Sequence, residues 1–262
     1  MFFQMSTLTL AVVLLLIVGG TAAAGAAIGR HLRSRPGVNS DTIGVIQGTL
    51  LGLVGLLLAF GLTMAVGRYE SRRALVVAEA NDIGTTYLRA QLLAEPERTT
   101  SLELLRSYGD ATIDLAEQVP DSEPFDAAAE RIEDLQRDLW SAAGDAVAAD
   151  PVGTAPRLYI ETLNDTIDAH TDRVTSLRNR VPTPVILLQL AGSALALGVL
   201  SLYLALLGRG LIMSLVAGGV VVLIMFVSFD LDRPQRGFIT VPATPLVAVR
   251  ASMDEPPAAD GP

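Results

Sequence analysis

The residues best suited to chemistry in this sequence are charged side chains placed directly after apolar runs. Asp230, Asp232 and Arg233 follow the last apolar run, and two carboxylates at a membrane edge are costly unless they are paired. We predict an ion-pair cluster with the arginines that follow the second apolar run, namely Arg68, Arg72 and Arg73. The alternative is a cation site, since hard cations take several oxygen ligands. Our interpretation is that no metal is bound, with Asp230 and Asp232 as the candidate ligands if one is.

A second group of charged residues repeats at spacings of four and three after the second apolar run, which places them on one side of a helix. Its members are Arg68, Arg72, Leu75, Glu79, Asp82, Thr86, Arg89 and Leu93. Two interpretations stay open: a solvated face, or a polar seam that lines an axis or pairs with other helices. The candidates for an ion path or charge network are Gln47, Arg68, Arg72, Arg73, Glu79, Asp82, Arg89, Asp230, Asp232 and Arg233.

Catalytic patterns do not emerge from the remaining residues. The sequence has no cysteine and two histidines, and no nucleophile elbow, phosphate-binding loop or zinc-ligand spacing occurs. His170 lies on an apolar helical seam, which favours a hydrogen-bonded core or interface histidine over a ligand. It could still respond to pH, because its reference pKa is near 6.5. We therefore predict that the protein is not an enzyme and that it needs no cofactor.

Four apolar runs are long enough to cross a bilayer as helices. They cover about 8–28, 43–66, 185–207 and 211–229. The first ends in small residues like a signal peptide, but no Arg or Lys precedes it, so we interpret it as a retained span. Small residues allow close packing of membrane helices, and the candidates for such packing are Gly48, Gly52, Gly55, Ala59 and Gly198.

The segment between the second and third runs is strongly acidic. From Glu95 to Asp172 it has nineteen acids and five arginines, which gives a charge of −14. Helical periodicity continues from Ile43 to Leu93, a rod of roughly 75 Å, and three further amphipathic segments follow, separated by proline-containing turns. The economical fold for four such helices is an antiparallel bundle.

These observations predict an all-α fold, a four-helix transmembrane protein with an acidic helical-bundle domain inserted between the second and third membrane helices. The expected domains are 1–66 with two spans, 67–182 as the soluble domain, 183–234 with two spans, and 235–262 as a short C-terminal segment with a disordered tail. The domain and both termini share one side because an even number of spans separates them.

The arginines near the spans favour a cytoplasmic position for that side and a multi-pass location in the inner (plasma) membrane. On the domain side they are Arg68, Arg72, Arg73, Arg173, Arg178, Arg180, Arg233 and Arg236, against Arg30, Arg33, Arg35 and Arg209 on the other. The expected partners are the lipid bilayer, further copies of the chain in a homo-oligomer, and inorganic ions. No nucleic acid is expected from a chain with a net charge of −9.

A combination of short motifs resembles the bestrophin-like family of bacterial membrane proteins from about Ile43 to Leu246. The motifs are Gln47-Gly48, Ala59-Phe60, Arg68-Tyr69, Arg72-Arg73, Glu79-Ala80-Asn81, Ile83 to Arg89, Arg180-Val181-Pro182, and Asp230 to Pro234 with Gly237. Asp82 departs from the pattern, because a small apolar residue is expected there. The family name links it to bestrophins, which are pentameric, calcium-gated anion channels with four membrane helices per subunit. By that resemblance, we expect an oligomeric ion channel that favours anions over cations, with the second span and its extension lining the axis. The alternative is a non-conducting scaffold or sensor whose acidic domain recruits a partner.

Overall fold

A computed structural model describes residues 6–35, 39–209, 211–233 and 235–256. In these residues the protein consists of helices and connecting segments, without a strand. The helices are α1 (Thr7–Arg33), α2 (Ser40–Ala90), α3 (Glu97–Glu117), α4 (Glu123–Ala149), α5 (Thr154–Arg178), α6 (Thr183–Leu206), α7 (Leu211–Leu231) and α8 (Thr244–Ser252). The predicted all-α class is thereby confirmed for the described part of the chain.

Four stretches of helix are long and apolar enough to cross a membrane. They lie in Thr7–Arg33, Ser40–Ala90, Thr154–Leu206 and Ile212–Leu231. The third of these ranges covers α5 and α6, and the apolar sequence in it is that of α6. The four apolar runs predicted from the sequence therefore correspond to α1, α2, α6 and α7.

The chain divides into two compact units, of which the first includes the residues up to Tyr69 and Arg180–Ile239. Its core is apolar, with Leu14 of α1, Leu58 of α2 and Leu197 of α6 all buried. α1 and α6 pack through glycines, because a Cβ on Gly25 would clash with the carbonyl oxygen of Gly198. Small residues thus allow the two backbones to touch, as membrane helix packing requires.

The long helix α2 has 51 residues. Its first turn is capped by Asn39, whose Oδ1 accepts hydrogen bonds from the backbone N–H groups of Asp41 at 3.0 Å and Thr42 at 3.3 Å. Such a side chain satisfies amides that have no partner inside the helix. At the other end, α2 stops at Ala90 rather than Leu93.

The second unit comprises Glu70–Asn179 and the residues from Thr240 onward. It contains the last part of α2 together with α3, α4, α5 and α8. α4 is one of the predicted amphipathic segments and buries Phe125, Ile132 and Leu139. Ser122 caps this helix by accepting from the N–H of Phe125 at 3.4 Å. Periodic apolar residues thus form this core because every third or fourth side chain returns to one face.

The helix α8 was not predicted from the sequence. It follows the last apolar run and contributes Leu246 and Met253 to the core of the second unit. The Met253 carbonyl oxygen accepts hydrogen bonds from the Tyr87 hydroxyl at 2.8 Å and from the guanidinium of Arg106. The predicted disordered tail falls partly on 257–262, which lie outside the described residues.

Candidate functional site

The charged residues of α2 meet α5 inside the second unit, in an arrangement that we name the α2–α5 seam: Arg72, Glu79, Thr86 and Arg89 of α2 with their partners on α5. At its centre the Glu79 carboxylate is fully buried. Oε1 of Glu79 lies 2.8 Å from Nδ1 of His170, and Oε2 forms an ion pair with Nε of Arg173. Because an ionised carboxylate only accepts hydrogen bonds, the histidine Nδ1–H donates to it.

Two further contacts extend the seam toward the C-terminal end of α2. The hydroxyls of Thr86 and Thr166 are 2.8 Å apart and buried. Arg89 donates to the Leu158 carbonyl oxygen at 2.9 Å and lies 3.7 Å from the Glu161 carboxylate. The spacing of these residues along α2 therefore matches a row of polar partners on α5.

Arg72 contributes the other end of the seam. Its guanidinium donates to the carbonyl oxygens of Ser176 at 3.3 Å and Asn179 at 2.8 Å. These carbonyls belong to the last turn and cap of α5, where the negative end of the helix dipole makes a cation favourable. Arg72 is thus a buried C-terminal cap of α5, whereas its neighbour Arg73 is exposed and lies 4.0 Å from Glu70.

The buried charge of the seam affects nearby titratable groups. Burial and then the negative charge of Glu79 raise the pKa of the Tyr108 hydroxyl above its ordinary value, and the Tyr108 ring meets the His170 ring edge-on at 6.2 Å. Burial raises the pKa of the Asp82 carboxyl, with further contributions from Asp165 and Glu79. The sequence left open whether this side of α2 faces solvent or forms a polar seam. In the structure Arg72, Glu79 and Arg89 form a polar seam, because they pair with α5.

Two carboxylates at the C-terminal end of α7, one in its last turn and one just after it, lie in the first unit and accept from backbone amides. Oδ2 of Asp232 accepts from the N–H of Val181 at 2.8 Å, and Oδ2 of Asp230 accepts from the N–H of Ile239 at 2.9 Å. Gly237 lies against Asp230, because a Cβ there would be 2.6 Å from the carboxylate carbon. The sequence predicted ion pairs with arginines at this place but missed these backbone donors, since amides have no sequence signature.

Arg233 is buried beside the same turn. Burial lowers the pKa of its guanidinium, Asp230 opposes that shift, and Arg236 and Arg180 add to it. Among the described residues no three His, Cys, Asp or Glu side chains come close enough together to hold a metal ion.

The membrane part of α2 buries one face and leaves another uncovered. Val54 and Leu58 are buried, and the Gln189 amide of α6 donates to the Leu57 carbonyl oxygen at 3.1 Å. The predicted packing residues of α2 lie on the exposed face, whereas Gly198 of α6 does pack, against α1. A Cβ at three of the α2 residues would meet nothing within 4 Å: Gly48, Gly52 and Gly55. Ala59 is exposed as well. Within the described chain, the packing predicted for this stripe does not occur.

Gln47 and Arg68 lie at the two ends of this part of α2, both half-buried. Nη1 of Arg68 is buried and makes no hydrogen bond to any residue in the described ranges. Gln189 was not predicted as a functional residue. It could have been recognised in the sequence as a polar side chain within an apolar run.

A family model described as the bestrophin-like domain matches residues 11–246. The chain belongs to the bestrophin-like family. The resemblance proposed from short motifs is therefore confirmed, and the match includes α1, whose residues had not contributed to it. Among curated proteins, none matches this bestrophin-like sequence.

Solved structures share the fold of this bestrophin-like chain. A crystal structure of a bacterial bestrophin homologue from Klebsiella pneumoniae that carries a mutation matches with a TM-score of 0.70 at 12% identity, over 92% of this chain and 97% of that one. A second structure of a Klebsiella pneumoniae bestrophin homologue, phased by zinc, matches with a TM-score of 0.66 at 12% identity over 91% and 96%. A crystal structure of a further mutated membrane protein matches with a TM-score of 0.62 at 14% identity over 92% and 95%.

Proposed function

We propose that this protein is an oligomeric ion channel of the bestrophin-like family and that it favours anions over cations. The family and the fold shared with bacterial bestrophin homologues support a channel. The observation that carries the proposal is the uncovered face of α2, defined by Gly48, Gly52, Gly55 and Ala59.

This face has the properties of a helix surface that meets other subunits around an axis. No described residue lies near the Cβ positions of its glycines, while α6 contacts another side of the same helix through Gln189. Thr63 is exposed one turn after Ala59, and its hydroxyl donates to the Ala59 carbonyl oxygen at 2.9 Å. Small residues give room for a neighbouring helix or for hydrated ions, so α2 is the helix proposed to line the axis.

Anion preference is assigned to Arg68 rather than to Arg72. Arg72 is buried and donates to two carbonyl oxygens of α5, which makes it a structural residue. Arg68 keeps a guanidinium nitrogen without a hydrogen bond in the described part of the chain. In an oligomer its copies would form a ring of positive charge, and such rings attract anions into a pore. Screening is small across a narrow mouth because the Debye length is about 8 Å at physiological salt.

The remaining parts of the proposal concern the placement of the chain. Residues 67–182 form an acidic, soluble helical domain between the second and third membrane helices, on the cytoplasmic side of the inner membrane. The arginines near the spans support this orientation. The protein is a homo-oligomer and not an enzyme. A single-subunit mass in native mass spectrometry, across several mild detergents, would contradict the oligomer.

The test is current through the purified protein in planar bilayers under a chloride gradient. We expect the wild-type reversal potential to lie toward the chloride equilibrium potential and Arg68→Glu to shift it toward cation preference. The matched control is Arg73→Glu, which makes the same charge change at an exposed side chain paired only with Glu70 among the described residues, and it should leave the reversal potential nearly unchanged.

The acidic domain supports the second candidate function, a non-conducting scaffold that recruits a basic partner. The charge of −14 between Glu95 and Asp172 is the observation in its favour. If folded, oligomeric protein conducts nothing over a range of pH and calcium concentrations, the channel proposal is wrong and the scaffold takes its place.

A further inference from the structure

A basic cavity of about 210 Å³ lies in the first unit, between the C-terminal parts of α1 and α6 and the first turn of α7. We name it the arginine cavity. Its polar lining consists of Arg30, Arg33, Arg209, Ser201 and Ser214. The volume corresponds to about seven water molecules at about 30 Å³ each, which is enough for a phosphate-sized group.

The three arginines of the cavity are exposed to solvent and have no partner of opposite charge among the described residues. Within the described ranges Arg30, Arg33 and Arg209 make no side-chain hydrogen bond and no ion pair. The sequence explains this, because Asp41 is the only acidic residue in 7–69 and 180–229. Arginines near helix C-termini are favourable in themselves, but three of them converging on one cavity leave a strong local excess of positive charge.

A buried hydroxyl in the lining of the cavity also lacks a partner among the described residues. Ser201 is 1% exposed, and its Oγ makes no hydrogen bond to any described residue. Leaving such a group unsatisfied is costly, so a ligand oxygen that accepts from Ser201 would be stabilised. Ser214 is likewise buried and stands in the first turn of α7, where backbone N–H groups favour an anion.

The loop after α6 is shaped to admit one of the arginines. Gly208 has a φ of +68°, a conformation that glycine adopts without strain. A Cβ at this position would lie 2.8 Å from the guanidinium nitrogens of Arg33. The glycine therefore leaves the space that the Arg33 guanidinium occupies beside the cavity.

We propose that the arginine cavity binds a phosphate-type anion, held by Arg33 and Arg209 with the Ser201 hydroxyl as a buried donor. Guanidinium groups bind phosphate oxygens in a bidentate manner. Two sources share this chemistry: the headgroup of an anionic phospholipid and free inorganic phosphate. Because the cavity lies at the ends of apolar helices, the lipid headgroup is the source we expect. The inference does not depend on ion conduction.

The experiment uses the full-length protein in nanodiscs of phosphatidylglycerol mixed with phosphatidylcholine, followed by native mass spectrometry of the lipids that stay bound. We expect wild type to retain phosphatidylglycerol selectively. The double variant Arg33→Gln with Arg209→Gln should weaken that retention on the order of a hundredfold, since each charge-assisted hydrogen bond lost costs about tenfold or more. Ser201→Ala changes no charge and should weaken it about tenfold.

The matched control is Arg35→Gln, an arginine at the same end of α1 that does not line the cavity and lies 3.0 Å from His31. General attraction between one arginine and an anionic surface is about 1 kcal/mol, so this control should change retention by no more than about fivefold. If Arg35→Gln weakens retention as much as the double variant, or if Ser201→Ala has no effect on any bound anion, the built site is disproved.

A second arm identifies the source of the anion by titrating inorganic phosphate into delipidated protein in a calorimeter. Selective lipid retention without phosphate binding assigns the cavity to a headgroup. Phosphate binding that the double variant abolishes, without lipid selectivity, assigns it to the free anion. Wild-type protein that shows neither lipid selectivity nor phosphate binding overturns the proposal.

Discussion

The arginines of the α2–α5 seam and those of the arginine cavity differ in whether the protein supplies them with partners. In the seam, buried Arg173 forms an ion pair with Glu79, and Arg72 donates to backbone carbonyl oxygens. In the cavity, Arg33 and Arg209 share the lining with a buried serine, and no carboxylate among the described residues pairs with them. Both groups were equally visible in the sequence as arginines next to helices.

The difference separates structural charge from charge that can act on a ligand. A buried cation is stable only when groups of the protein replace its hydration, and the seam supplies them from within the chain. The arginines of the cavity are instead exposed to solvent, so water hydrates them and an anion from outside can take its place. Arginine content alone therefore does not indicate an ion path, and the partners of each guanidinium decide its role.

The largest effect should come from breaking the seam with Glu79→Ala. The substitution leaves Arg173, which is 2% exposed, as a buried charge without its carboxylate, and removing one partner of a buried ion pair costs about 3–5 kcal/mol. The free energy of unfolding can be followed in denaturant by fluorescence of Trp140, the only tryptophan, which lies on α4 of the second unit.

Glu161→Ala is the control for this prediction, because it removes the other glutamate that pairs across α2 and α5. Its side chain is 66% exposed, so its loss should cost less than about 1 kcal/mol. Equal losses for both variants would contradict the distinction between buried and exposed pairs.

A smaller effect is expected when both charges of the pair are removed together. Glu79→Met combined with Arg173→Met replaces the ion pair by apolar side chains, and such replacements are often neutral or stabilising. We expect the double variant to unfold within about 2 kcal/mol of wild type and to be more stable than either single variant. A double variant as unstable as the sum of the two singles would mean that His170 or Tyr108 needs the charged pair.

The sequence predicted the helices of this protein better than their partners. Hydropathy identified four apolar runs, and periodicity identified the α4 core, because both depend on local order of residue types. The same periodicity placed Glu79 and Arg89 on one side of α2 but left open whether that side meets solvent, an axis or a helix. Their partners on α5 lie far along the chain, and no local pattern encodes a pairing over that distance.

Two parts of the fold were missed for related reasons. The helix α8 has nine residues, which is too short for a periodic pattern to stand out. The backbone donors to Asp230 and Asp232 have no sequence signature, so the sequence offered only arginines as their partners. The arginine cavity depends on residues from α1, α6 and α7, and its missing counter-charge becomes visible only when the three helices are placed together.

The smallest predicted effect is a pH-dependent one at Asp82. Burial, then Asp165 and Glu79, raise the pKa of its carboxyl above 3.8, so the folded state favours the protonated form. The contribution of Asp82 to stability is therefore complete below pH 3.8 and is lost as the pH rises through the raised pKa. Asp82→Asn should stabilise the protein at pH 7 by less than about 1 kcal/mol, because solvent screens a partly exposed group.

The gain in stability of Asp82→Asn over wild type, measured from unfolding midpoints, should shrink as the pH falls from about 7 toward 3.8, because the raised pKa lets the wild-type carboxyl become protonated in the folded state. Asp138→Asn on the exposed side of α4 is the control, since it removes one carboxylate of the same unit without changing a buried charge. An Asp82→Asn advantage that stays constant with pH would show that its effect is not electrostatic.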